Sequence, residues 1–440
     1  SSLIFKKAEK TKRVSLMKNL LLVVSRILVR DHEVQGEEFN QRIYLRFFSN
    51  MLIELSDVLG AISSTEPIAH ELSVEQAETS TEYLEMLLLF ADSFLQLEPS
   101  KIQGFSFAWL ELISHRMFIP KLFFSKNRDG WSKFHDLLIA LLSFLKPYTS
   151  QTDLNGPIRL MYRGTLKILL ILLHDFPEIL CGYHFSLCDV IPPTCIQMRN
   201  LILSAFPRNM RLPDPFTPNL KVDLLAEIKQ APRILSHYYK ALEEGSPITK
   251  DQIDGYLTKT RPARDFLANL RSNLMLPPSS DPTQPRYNVP LLNALVLYVG
   301  VQAISQPQQE EASLVNTTSM SLFEHLIINL DEEGRYLFLN ALANQLRYPN
   351  NHTHYFSCVL LYLFSEVGKQ DPSFDYREEI QEQITRVLLE RLIVNRPHPW
   401  GLLITFIELV KNPRYQFWSK PFVHCAQEIE RLFENVGRSL

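Results

Sequence analysis

Residues Gly182–Leu220 read GYHFSLCDVIPPTCIQMRNLILSAFPRNMRLPDPFTPNL, and the rest of the chain is read outward from them. Six prolines fall inside this stretch (Pro192, Pro193, Pro207, Pro213, Pro215 and Pro218), yet Cys195–Phe206 keeps the apolar spacing of a short helix. Each proline ring removes an N–H donor and fixes φ, so no helix runs through such a run. A long helical region is therefore expected to stop here, make one short helix, and cross in an extended conformation. The helix is expected to restart at Lys221–Gln230.

On both sides the apolar residues recur at helical spacing. In Trp131–Leu145 they are Trp131, Phe134, Leu138, Leu141, Leu142 and Leu145; in Tyr376–Val394 they are Ile380, Ile384, Val387, Leu388 and Leu392. Comparable stripes include Val14–Arg30, Phe39–Gly60, Thr81–Leu97, Leu154–His174, Ala231–Glu243, Leu291–Ile304, Arg335–Arg347, His354–Val367 and Pro399–Lys411. Strict alternation is almost absent, so no sheet is expected. Pro120, Pro147, Pro177, Pro349, Pro397 and Pro413 sit just beyond apolar runs, where proline ends helices. Ser80-Thr81-Glu82 reads as one helix start and Asp331-Glu332-Glu333 as another. The expected fold is all-α: a HEAT-like α-solenoid, a right-handed superhelix of about 17 stacked antiparallel helices.

Composition agrees. Gly is 14 of 440 residues, roughly half the usual share, while Pro stands at 27. Ala61–Thr79 and Gln306–Ser319 read as flexible surface, and Leu276–Arg286 (LPPSSDPTQPR) as a Pro-rich linker or loop between parts 1–275 and 287–440 of the superhelix. Net charge is −3, so no global field draws the chain to nucleic acid or membrane. The local exception is Lys6–Arg13 (KKAEKTKR), read as a solvated first turn against an RNA-contacting or nuclear-import patch. Five sparse cysteines do not form a secreted disulfide framework, and no apolar run approaches the ~18 residues of a membrane span. A cytoplasmic location, with the nucleus as a second compartment, is expected. The missing initiator Met suggests a piece of a longer chain.

No catalytic constellation emerges, and neither a metal nor a cofactor is expected. Cys181, Cys188 and Cys195 recur every seven residues, too far apart for the close pairs of structural zinc, and read as buried thiols. His352-Thr353-His354 reads as a turn leading into a helix. The acidic pairs sit at helix ends or on polar faces rather than converging as a two-metal nuclease requires. What remains is binding surface. Trp, Tyr and Arg dominate protein–protein hot spots, which singles out Arg208, Arg211 and Phe216 in the crossing. It also singles out Tyr415 among Trp400, Arg414, Phe417 and Trp418, where the two tryptophans are weighed as rings closing the core.

Together with Asn155–Ile179 (NGPIRLMYRGTLKILLILLHDFPEI) and Asn395–Trp418 (NRPHPWGLLITFIELVKNPRYQFW), the opening stretch resembles the carboxy-terminal superfamily homology domain of the Not-one scaffold subunit of the Ccr–Not messenger-RNA deadenylase complex. The likeness runs through most of the chain. It implies a scaffold without nuclease activity that docks the Not-two and Not-three (or Not-five) subunits, whose extended regions lie along the superhelix. It also implies Nanos-type repressor peptides as further partners, with the remainder of the complex held through the full-length scaffold. Direct nucleic-acid binding is expected to be weak or absent, and no membrane is involved. The alternative is a helical-repeat RNA binder or transport adaptor of another family, which would want a basic stripe along one face.

Overall fold

The computed structural model describes residues 10–59, 74–123, 129–150, 154–218, 220–260, 263–278, 285–305, 317–369 and 376–425, with 427, 428, 430, 431 and 433 beyond them. Among these there are seventeen α-helices and no strand, only an isolated bridge between Met275 and Tyr287. The fold is all-α and solenoid-like. No helix among the described residues is long and apolar enough to cross a membrane. The chain forms two compact units, Ser1–Leu172 and Leu173–Leu440. The Pro-rich stretch 276–286 falls inside the second, where its ends pair through Leu276 N–H to Arg286 O (2.8 Å).

The first unit holds α1 (Lys10–Gln35), α2 (Gln41–Leu59), α3 (Val74–Gln96), α4 (Ser106–Ile113), α5 (Ile119–Phe123), α6 (Asp129–Thr149) and most of α7 (Gly156–Asp175). Helix α3 is the axis, packing on α1 and on α6. Aromatic rings spaced along these helices meet edge to face: Phe48 on Phe94 (5.7 Å) and Phe94 on Phe118 (5.5 Å), with Phe118 then tilted against Phe134 (6.5 Å). Each such buried ring contributes about 1.5–3 kcal/mol. Trp109, fully buried, satisfies its indole by donating to Phe94 O (2.7 Å). Two expectations change here. Helix α3 begins at Val74 rather than at Ser80, since VEQAETS is rich in strong helix formers that outweigh the local cap. Pro147 lies within the last turns of α6 rather than beyond them. Of the basic cluster at the start, Lys6 and Lys7 lie outside the described residues, and Arg13 forks onto the buried carboxylate of Glu82 (2.8 and 2.7 Å).

The second unit holds α8 (Pro177–Val190), α9 (Ile196–Leu203), α10 (Lys250–Leu257), α11 (Ala263–Leu274), α12 (Val289–Ser305), α13 (Thr318–Asn329), α14 (Glu332–Ala343), α15 (Asn351–Glu366), α16 (Arg377–Leu392) and α17 (Trp400–Lys411). Alternate helices stack: α12 on α14, α14 on α16, and α15 on α17, as hairpins do in a helical array. The expected cap at Asp331 is present, its carboxylate accepting from Gly334 N–H (3.0 Å), and Asn350 caps α15 in the same way at Thr353 N–H (3.0 Å).

Between α9 and α10 the chain does not return to α-helix. The restart expected at Lys221–Gln230 and the stripe at Ala231–Glu243 are instead 3-10 turns (Val222–Leu224, Ala226–Lys229, Lys240–Leu242) joined by extended backbone. Pro232 forbids a helix through this stretch. Its backbone bonds go to other elements: Leu235 N–H donates to Gly182 O (2.8 Å) and Gln230 O accepts from Asn351 N–H (2.9 Å). The apolar side chains of 228–248 are thereby spread over the unit's surface helices, with Leu242 and Ile248 sinking into the core.

His184 and His352 are buried beside Arg347. Burial first, and then the Arg347 charge, push His352 down to about 3 and hold His184 well below the ordinary range. An unfolded histidine takes its proton near pH 6.5, so below that pH the unfolded chain binds more protons than the folded one. Stability is fully present above about pH 6.5 and falls as pH drops toward the folded value, by about 1.4 kcal/mol per pH unit for each histidine. Urea titrations at successive pH values should show this slope, and His352→Gln should reduce it. An unchanged slope in the variant would place the acid sensitivity elsewhere.

Candidate protein-binding surface

The proline-rich crossing leaves α9 at Ser204, is fastened by two other helices and is turned by one of its own side chains. Trp400, the first residue of α17, is 3% exposed and donates its indole N–H to Pro213 O (2.8 Å). Arg208 N–H donates to Glu178 Oε1 (3.1 Å), in the first turn of α8. Asp214 Oδ1 accepts from Phe216 N–H (3.0 Å), closing an Asx turn. Pinning the backbone at Pro213 and turning it at Asp214 leaves Phe216 facing outward at 40% exposure. An aromatic ring held outward by a fixed backbone loses little entropy when a partner covers it.

Arg208 is half-engaged. Its guanidinium lies 5.6 Å over the Phe176 ring and its Nε 3.7 Å from Glu178 Oε2, with over half the side chain exposed. Arg211 is exposed. These two and Phe216 therefore share one short, ordered, solvent-facing segment. Tyr415 does not belong with them. It is 8% exposed, its ring packs edge-on against Phe364 (6.3 Å), and burial raises its phenol pKa. The tryptophans divide: Trp400 closes the core, while Trp418 stands 43% exposed on the edge of Phe417. Nothing local in the sequence marks the Trp400–Pro213 bond, which joins residues far apart in the chain.

The reactive side chains are placed otherwise. Cys181, Cys188 and Cys195 are buried, and burial pushes the Cys181 thiol up to about 12, as for a packed thiol rather than a nucleophile. Cys358 Sγ lies 3.9 Å from His354 Nε2, which is itself 3.7 Å from Asp223 Oδ1. Both of these contacts fall on the same ring nitrogen, and burial holds Cys358 up at about 11. Among the described residues no group of three or more His, Cys, Asp or Glu could hold a metal ion.

Comparison with known proteins gives a consistent result. A family model described as CCR4-Not complex component, Not1, matches residues 69–437. The chain is 42% identical to the CCR4-NOT transcription complex subunit let-711 of Caenorhabditis elegans, over 97% of this chain and 16% of the relative. It is 34% identical to the general negative regulator of transcription subunit 1 of Schizosaccharomyces pombe, over 96% of this chain and 19% of the relative. It thus spans under a fifth of the length of these relatives. Among solved structures, the NOT1 superfamily homology domain from Chaetomium thermophilum superposes with a TM-score of 0.86 at 30% identity, covering 100% of this chain and 82% of that one. A Not1 C-terminal domain in complex with Not4 superposes at 0.80 with 29% identity, covering 98% of this chain and 82% of that one. With the family model spanning most of its length, this chain belongs to the Not1 family of CCR4-Not complex components.

Proposed function

We propose that this chain is a non-catalytic scaffold domain that docks the Not-two and Not-three (or Not-five) module onto the Ccr–Not complex, for deadenylation, decay and translational repression of messenger RNA. The reading rests on one observation above others: the whole chain takes the fold of a solved NOT1 superfamily homology domain, and presents an ordered extended segment beside it rather than a reaction centre. A second solved relative is bound to Not4, so Not4 is a further partner for this chain, alongside Nanos-type repressor peptides. The protein acts in the cytoplasm, with the nucleus as a second compartment. Extended peptides suit such a surface, since grooves between stacked helices take apolar side chains at intervals.

Arg208, Arg211 and Phe216 are the proposed anchors. Charge reversal at Arg208 with Arg211, or Phe216→Ala, should weaken binding of a Not-two/Not-three heterodimer by about 1–3 kcal/mol without lowering the melting temperature. Calorimetric titration of wild type and variants reads this directly, with a Not4 fragment as a parallel arm. Unchanged heterodimer affinity would move the interface away from the crossing. Failure of the folded domain to bind the heterodimer at all would remove the docking role.

A further inference from the structure

The C-terminal end of α15 gathers more positive charge than it needs. Gly368, at φ 70°, turns the chain sharply after the helix, and four cations from three segments then converge on Phe364, Ser365 and Glu366. Arg377 Nη2 donates to Ser365 O (2.7 Å). Lys420 Nζ sits 5.9 Å over the Phe364 ring. Lys369 Nζ (3.0 Å) and Arg414 Nη2 (3.4 Å) both reach the same oxygen of Glu366, and both side chains are more than half exposed.

Part of this is ordinary helix capping. A helix C-terminus carries about half a negative charge, which Arg377 answers by bonding a last-turn carbonyl. The remainder is not matched. Glu366 is shared by two cations, Lys369 reaching both of its oxygens (3.0 and 3.2 Å) and Arg414 one of them. Glu378 faces Lys420 from the start of α16, but no carboxylate lies within ion-pair distance of Lys420 or Arg377 among the described residues. Glu408, on α17, is engaged by Asn412 Nδ2 (2.6 Å). Lys420 is destabilised as a cation first by partial burial and then by the Arg377 charge beside it. The Nε of Arg377 is buried without a hydrogen-bond partner. Two exposed rings adjoin the cations in sequence: Tyr376, 56% exposed, before Arg377, and Trp418 before Lys420.

We infer that this rim is a docking surface for an acidic peptide segment, whose carboxylates are received by Arg377, Lys420, Lys369 and Arg414 and whose apolar side chains rest on Trp418 and Tyr376. Arg377 and Lys420, which repel one another and have no carboxylate within ion-pair distance among the described residues, gain most from an incoming acidic chain, and rings beside arginine are the composition of interface hot spots. A nucleic acid fits less well, because backbone tracking requires a positive stripe along a face and here the cations converge on one helix end. The surface is distinct from the proline-rich crossing and does not depend on the role given to Arg208, Arg211 and Phe216.

The test uses fluorescence anisotropy with the whole chain and three probes: a short fluorescein-labelled Asp/Glu peptide bearing one Phe, its Lys counterpart, and an oligouridylate of similar length. The acidic probe should bind with salt-sensitive affinity and the Lys peptide should not. Lys420→Glu with Arg414→Glu should weaken the acidic probe by about tenfold or more, while Arg208→Glu with Arg211→Glu leaves it unchanged. Lys369→Glu and Trp418→Ala, at exposed positions, serve as folded controls that should each weaken it less. No preference for the acidic probe, or equal binding by all variants, overturns the inference. Oligouridylate binding lost in the same variants, without acidic-peptide binding, would make the rim an RNA contact and overturn it as well.

Discussion

Trp400→Ala is expected to cost the second unit about 3–5 kcal/mol, whereas Trp418→Ala should cost less than about 1 kcal/mol. The two tryptophans stand 18 residues apart in one motif-rich stretch, yet their surroundings differ completely. Trp400 is 3% exposed where three segments meet: its indole holds Pro213 O at 2.8 Å, and the next residue, Gly401, donates N–H to Arg347 O at 2.6 Å. A Cβ on Gly401 would stand 2.8 Å from that carbonyl oxygen, so the start of α17 lies against backbone with no room to shift. Removing the indole opens a cavity there that cannot collapse, and leaves Pro213 O without its donor. Trp418 is 43% exposed and, among the described residues, loses an edge contact with Phe417. Urea unfolding followed by circular dichroism separates the two, because it does not rely on tryptophan emission. Trp400→Ala should also weaken partners that use Arg208 and Phe216, since the crossing is no longer held at Pro213. Equal stability costs for the two substitutions would show that the crossing is not fastened as described.

The helices were legible because their signal is local. Apolar stripes in 131–145 and 376–394 each became a buried face, the helix within 335–347 is buried on nearly all sides, and Asp331 caps that helix. The failures came where non-local contacts decide. Ala231–Glu243 shows helical spacing of apolar residues, but these residues dock separately onto the unit's core, and Pro232 prevents the intervening turns from closing into an α-helix. The exposure of the two aromatic-rich stretches was legible in part. Prolines around Arg208–Phe216 announced a segment unable to bury everything, and Phe216 is indeed exposed. Arg414–Trp418 defeated the same reasoning because its facing is set by backbone. Gln416, at φ 47°, lies between two 3-10 turns and reverses the chain so that Tyr415 and Phe417 point inward while Arg414 and Trp418 point out. A left-handed glutamine carries no signature in a single sequence.

The largest effect is expected at Arg199, whose side chain is 3% exposed and makes four hydrogen bonds. It donates to Cys188 O (3.3 Å), Ile191 O (2.8 Å) and Pro192 O (3.2 Å), carbonyls left over where α8 ends and the double proline begins, and to Asn344 Oδ1 (3.2 Å). Arg391, also buried, donates to the same Asn344 oxygen (2.9 Å) and to Asn340. Two guanidiniums thus share one amide oxygen with no carboxylate bonded to either among the described residues, and burial first, then the Arg199 charge, push Arg391 down to about 9. Truncation to Ala removes this repulsion but strands several buried carbonyls, each costing about 1–3 kcal/mol, in a volume nothing else can fill. The second effect is larger. Arg199→Ala should lose about 4–6 kcal/mol, and Arg199→Lys, which keeps the charge without the planar fork, about half as much. Urea midpoints at neutral pH measure both. A cost under about 1 kcal/mol for Arg199→Ala would mean that relief of repulsion offsets the lost hydrogen bonds, leaving the paired arginines tolerated by the fold rather than required to join α8 to α14 and α16.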